Sequence, residues 1–139
     1  MAAVETDART DDGIVRGLPL VLLRTEGAVL LALSILLYAK FGGSWILFVV
    51  LLLAPDLGAL GYLRNTRVGG FTYDIVHTYL PPGVLAAIGV LAGNNLCLSV
   101  ALVWFGHIGM DRLVGYGLKY PDAFKHTHLG WMGGRSKAR

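Results

Sequence analysis

The chain has 139 residues, 55% of them hydrophobic, with a mean hydropathy of +0.60 and a formal net charge of +3. That is too apolar for an ordinary soluble domain, where about 45–50% apolar residues is usual even with glycine counted. Charged residues make up 15% and gather at the ends and in one loop, so no basic face with interleaved aromatics is on offer to DNA or RNA.

The length suits one domain. The opening MAAVETDARTDDG is acidic and lacks the basic start and cleavage site of a signal peptide. Residues 1–17 are therefore expected to be a disordered polar segment, and the first apolar run to stay as an anchor. A membrane-crossing helix needs about 20 mostly apolar residues. Four stretches qualify: Leu18–Tyr38, Trp45–Tyr62, Tyr73–Leu91, and Leu96–Met110 with a continuation toward Leu118. KFGGS, LRNTRVGGF and AGNN separate them. Pro81 and Pro82 fall inside the third stretch, where a kink rather than a chain break is expected. Gly58 and Gly61, Gly83 and Gly89, and Gly106 and Gly109 would let helices approach closely. The single cysteine, Cys97, excludes a disulfide framework and reads as a small buried hydrophobe.

Four crossings put both termini and the middle loop on one side of the membrane. Of the 12 Lys and Arg residues, all but Lys40 fall on that side. Positive charge marks the cytoplasm. The expected architecture is an all-α integral membrane four-helix bundle over residues 18–118, with cytoplasmic termini and a cytoplasmic tail over 119–139.

Ionisable groups inside these stretches carry the chemistry. A charge within a lipid-embedded helix costs about 2.5–3.5 kcal/mol on insertion scales, so such groups are expected to face a protein interior. At about 1.5 Å per residue, Asp56 lies roughly 9 Å, His77 roughly 6 Å and Glu26 roughly 12 Å from the same membrane face. His107 and Asp111 approach that face on the fourth helix. They are spaced i,i+4, which puts both on one side of the helix. Asp56, His77, His107 and Asp111 are thus candidate ligands of one divalent ion, zinc or manganese ahead of iron(II). Asp74, three residues before His77, is expected to orient its ring. Glu26 is the candidate general base for a metal-bound water. In the tail, His126 and His128 alternate in KHTHLG and form a second candidate ligand pair. If the tail folds back over the cytoplasmic mouth, Arg112 and Lys119 meet a phosphate or carboxylate there. For any one of these residues alone, a hydrogen bond between helices is the commoner role; their shared depth favours a common site.

RTEG, LLLAPDLGALGYL, YDIVHTYLPP and HIGMDRLVGYGLKYPDAFKHTHLG together resemble a bacterial membrane family catalogued as domain of unknown function 4260, over about Leu22 to Gly130. The resemblance implies a small multi-span integral membrane protein and no particular reaction; the expected location is the bacterial inner membrane. A weaker likeness is to bacterial inner-membrane metal-dependent hydrolases, in which a PD motif, a His motif and an HxxxD-like motif follow in this order. Pro55–Asp56, His77 and His107–Asp111 keep the order, but the middle motif offers one His where that group usually carries more.

Three functions compete. The first is a metal-dependent hydrolase acting on an amphiphilic or lipid-like substrate at the cytoplasmic headgroup layer. The second is a small proton-coupled transporter or channel, which would need a homo-oligomer. The third is a non-catalytic subunit of a membrane complex, with the polar groups as glue between helices. Membrane lipid is the expected partner in each.

Overall fold

A computed structural model describes residues 13–41 and 43–134. The expected polar segment lies outside the described residues up to residue 12, as do the last five residues of the tail. Leu18–Phe41, Trp45–Leu63, Thr66–Leu91 and Asn95–Val114 are helical and are each long and apolar enough to cross a membrane. The protein is an all-α, multi-pass membrane protein. Large apolar side chains such as Leu22, Val29, Leu36, Val50 and Leu91 point outward, as they do where the solvent is hydrocarbon.

The first crossing is one helix, α1 (Leu18–Phe41), and the fourth is one helix, α5 (Asn95–Val114). The other two are interrupted, each for a stated chemical reason. The second begins as α2 (Trp45–Leu52), capped by Ser44, whose hydroxyl accepts from Ile46 N at 3.2 Å. Pro55 has no N–H for the carbonyl one turn back. The chain tightens into a 3₁₀ helix, Ala54–Leu63, in which Asp56 N bonds Leu53 O at 3.3 Å. Leu52 O thereby loses the Asp56 N–H that a continuous α-helix would have given it.

The third crossing starts earlier than expected, at α3 (Thr66–Val76), because Asn65 caps it by accepting from Val68 N at 2.9 Å. It then stops, and α4 (Leu80–Leu91) resumes with Pro81 and Pro82 in its first turn. The expected kink is therefore a true break. Pro81 cannot bond His77 O, and the Arg112 guanidinium donates to that carbonyl instead, at 3.0 Å. Trp104 Nε1 donates to the neighbouring Val76 O at 2.7 Å. Broken helices survive at membrane depth only when other groups take over the freed carbonyls.

α5 is the axis. It packs on α1, α2 and α4, and half of its most apolar window is buried. Gly27 and Gly109 bring α1 against α5 so closely that a Cβ on Gly109 would sit 2.7 Å from Gly27 O. Gly106 faces Ser34 across the same seam, and Gly89 brings α4 onto Leu98. Gly83 has no such role, since the nearest atom to its would-be Cβ is Phe105 at 4.0 Å. Tyr38, Phe48, Leu102 and Val103 form the core at the far end, with Trp45 and Phe48 packed on the Tyr38 ring.

Gly115, at φ +93°, ends α5 in a left-handed cap. The tail then turns back along the bundle instead of extending away. Its short hairpin pairs β1 (His126–Thr127) with β2 (Gly130–Trp131), His126 opposite Trp131. The segment before α1 is tied to it, through Val15 N to His128 O at 2.8 Å and Tyr120 OH to Gly13 O at 2.9 Å.

Candidate metal centre

Three crossings converge on one point. Asp56 comes from the first turn of the 3₁₀ helix, His77 from the C-terminal cap of α3, and His107 and Asp111 from one face of α5. One ligand atom from each lies within 4.8 Å of all the others. His77 Nε2 is 3.6 Å from Asp56 Oδ1 and 3.5 Å from Asp111 Oδ2. His107 Nε2 is 3.5 Å and 3.6 Å from the same two oxygens. The two Nε2 atoms are 3.0 Å apart. Ligands in a tetrahedron with bonds of about 2.0–2.1 Å sit about 3.3–3.4 Å from each other, so the group is already near coordination spacing.

The orientation of the imidazoles says more than their proximity. His77 Nδ1 lies 2.8 Å from Tyr73 O, and His107 Nδ1 lies 2.6 Å from Leu52 O. Carbonyl oxygens only accept, so each Nδ1 carries a hydrogen. Neutral rings then present bare Nε2 lone pairs to each other at 3.0 Å, with two carboxylates beside them. That arrangement is repulsive without a positive species at its centre. One added proton would bridge the two nitrogens, but the carboxylates at 3.5–3.6 Å are too distant to hydrogen-bond it. A divalent cation satisfies all four groups at once. It also balances two carboxylates, leaving no net charge in a low-dielectric setting where charge is costly.

The anchoring carbonyls come from the two irregular places in the fold. Leu52 O is available because Pro55 diverts the second crossing. His77 is fixed from both sides, since Tyr73 O holds its ring and Arg112 holds its own carbonyl. Tyr73 completes the surround. Its ring stacks on His77 with centroids 3.6 Å apart and planes 10° from parallel, and its hydroxyl donates to Asp111 Oδ2 at 3.0 Å. His77 and His107 are wholly buried and Asp111 is 5% exposed, whereas the Asp56 side chain is 54% exposed. The centre therefore has one open side, and Asp56 stands in it.

The remaining candidates fall elsewhere. Asp74 does not orient the His77 ring; its Oδ1 accepts from Lys119 N at 2.7 Å and so pins the tail to α3. Glu26 has the expected depth but the wrong face. It is exposed and lines a separate apolar groove with Leu22, Val29, Tyr79 and Phe105. Arg112 holds the carbonyls of His77 and Tyr116, each at 3.0 Å, which makes it a brace. His126 and His128 are occupied separately. His126 Nδ1 pairs with the Asp122 carboxylate at 2.8 Å and its ring stacks on Trp131, while His128 Nδ1 accepts from Leu118 N at 2.8 Å. Burial pushes the Asp122 carboxyl up, but the His126 hydrogen bond and charge, with backbone N–H groups of Asp122 and Ala123, together hold it below its usual range. Burial, then the nearby Arg112 charge, pushes the His128 pKa below the ordinary histidine value.

The tail does fold back, but Lys119 takes up a role that its sequence position did not reveal. Its ammonium donates to Phe124 O at 2.7 Å and lies over the rings of Phe124, Tyr73 and Tyr62, at 3.7, 4.5 and 5.9 Å. Burial lowers its pKa, and the charges of Asp111, Asp74 and Asp56 work the other way. The tail is thus fastened to the same tyrosine that steadies Asp111. Tyr73 and Trp104 went unnoticed in the sequence, although Tyr73 stands at i−4 from His77 and so on its helix face.

Fold and site together define a multi-pass membrane protein with a buried His–Asp cluster able to hold a metal ion. The model of the family described as domain of unknown function (DUF4260) matches residues 20–132, and the chain belongs to that family. No curated protein and no solved structure matches the chain.

Proposed function

We propose that the protein is a membrane-embedded, divalent-metal-dependent hydrolase acting on an amphiphilic or lipid-like substrate at the cytoplasmic side of the bacterial inner membrane. The observation that carries this reading is the pair of imidazoles whose Nδ1 atoms are both committed to carbonyls, so that both Nε2 lone pairs are left to face a common cation. Zinc or manganese suits two nitrogens and two carboxylate oxygens. Such an ion lowers the pKa of water and polarises an ester or phosphoryl oxygen. Among the four ligands, Asp56 is the one that solvent or substrate reaches. Its free oxygen is placed to accept the proton of an incoming water, the role that Glu26 is too far round the bundle to fill. Tyr73 keeps Asp111 fixed while Asp56 adjusts. The cytoplasmic assignment rests on the Lys and Arg bias of the loops.

Hydrolysis of amphiphilic carboxylic and phosphoric esters by purified protein in detergent tests the proposal. Turnover is expected to vanish with a chelator, return with zinc or manganese, and fall at least 100-fold in Asp56→Asn and His107→Ala. Turnover indifferent to chelator and to His107→Ala contradicts it. The 3.0 Å contact of the two Nε2 atoms also fits a second reading, a shared proton in a proton-coupled transporter. pH-driven flux into liposomes by metal-free protein would favour that one.

A further inference from the structure

Next to the centre lies a cavity of about 250 Å³ with an almost wholly apolar lining. It is bounded by the chain neighbours of three of the ligands: Pro55 and Leu57 on either side of Asp56, and Val76 just before His77. Trp104, one turn before His107, and Val100, two turns before it, form the α5 wall. Val100, Trp104, His107 and Asp111 are spaced 4, 3 and 4 residues apart, the spacing of one stripe along a helix. Cavity and ligands thus follow one another along a single line on α5.

The direction of that line matters. Val100 lies about 10 Å from His107 along the axis, at about 1.5 Å per residue, on the side of the helix midpoint nearer its Asn95 end. His107 and Asp111 lie toward the end where the chain leaves the helix. A molecule laid on the stripe would have its polar part nearer that end of α5 than its apolar part. Lipids in a leaflet are oriented in that way.

We propose that this cavity binds one hydrocarbon chain of a membrane amphiphile whose ester or phosphate head reaches the His77–His107–Asp111–Asp56 group. The inference rests on the hydrolase reading and deepens it, because it assigns the substrate a chain and that chain a place. At this depth the surrounding medium is itself hydrocarbon, and a slot walled by Trp104, Val76, Leu57 and Pro55 offers a chain packing partners but no hydrogen bond. The only indole N–H in the wall is already committed to Val76 O.

The test uses full-length protein reconstituted in phosphatidylglycerol–phosphatidylethanolamine vesicles doped with a phospholipid carrying a diazirine on one acyl chain. After irradiation, peptides are mapped by mass spectrometry and metal content is measured on the same samples. Label is expected at Leu57, Val100 or Trp104 at several times the level on the outward α1 residues Val21 and Leu36. Val100→Trp, which fills the slot, is expected to lower groove labelling at least fivefold with α1 labelling and metal content unchanged. Ala54→Phe fills the opposite wall and serves if Val100→Trp fails to fold. Groove labelling no higher than α1 labelling, or unaltered in a folded slot-filling variant, overturns the proposal even when metal is fully bound. Preferential groove labelling in protein that binds no metal supports the chain site while removing the hydrolase reading.

Discussion

At the scale of single residues, the centre depends on where three hydrogen atoms point, those on His77 Nδ1, His107 Nδ1 and the Tyr73 hydroxyl. Tyr73 is the clearest case, because its hydroxyl touches Asp111 and its ring touches His77 without being a ligand. Partners that orient ligands typically matter 10–100-fold in metal affinity. Tyr73→Phe keeps the stacked ring and removes the hydroxyl, so competition against a chromophoric chelator should show metal binding weakened by about that factor in folded protein. Unchanged affinity would mean that Asp111 needs no help. The tail carries a pH prediction of its own. The folded-state pKa of His128 is lowered, so protons bind the unfolded tail more readily than the docked one. Docking should be fully stable above the ordinary histidine value, near 6.5, and weaken as pH falls through it toward the lower folded value. Protonation also converts the acceptor for Leu118 N–H into a donor. The protection factor of the Leu118 amide, which corrects for the intrinsic slowing of exchange in acid, should fall on going from pH 7.5 to pH 5.5, and His128→Gln should flatten that response.

At the scale of elements, prolines make the site by interrupting helices. Pro55 frees Leu52 O for His107, and Pro81 frees His77 O for Arg112. Arg112→Met should therefore leave two carbonyls without their donor and destabilise the protein by about 1–3 kcal/mol per buried carbonyl, seen as a lower melting temperature in detergent. The glycines give a paired expectation. Gly109→Ala drives a methyl into the α1 backbone and should lower the melting temperature. Gly83→Ala meets open space in a helix and should be neutral or stabilising by up to about 1 kcal/mol. The four crossings were legible because hydropathy and length depend on composition alone. The clustering of Asp56, His77, His107 and Asp111 was legible too, since the four share a depth and the last two share a face. Depth does not fix rotation about the helix axis, and for that reason Glu26 looked like a neighbour of the centre while facing a different groove. Nor does sequence say which carbonyl a broken helix releases to whom. Asp74 seemed the natural partner of His77, yet the backbone of Tyr73 holds the ring. The tail was the least legible part, because the enclosure around Lys119 is assembled from Tyr62, Tyr73 and Phe124, which lie far apart in the chain.

At the scale of the whole molecule, α5 carries the core, two ligands, both side chains that repair the third crossing and one wall of the apolar cavity. The tail clasps the bundle through Asp74 and Lys119 but leaves Asp56 exposed, so the centre stays reachable from one side. A dication held by the two carboxylates and two imidazoles would form a neutral assembly, which a membrane interior tolerates better than separate charges. The most direct test is elemental analysis of purified full-length protein, beside His77→Ala and His107→Ala variants shown to be folded. We predict close to one divalent ion per wild-type chain and little or none in either variant. A wild-type protein free of metal after purification with added zinc or manganese, or variants that retain the full amount, would contradict the account.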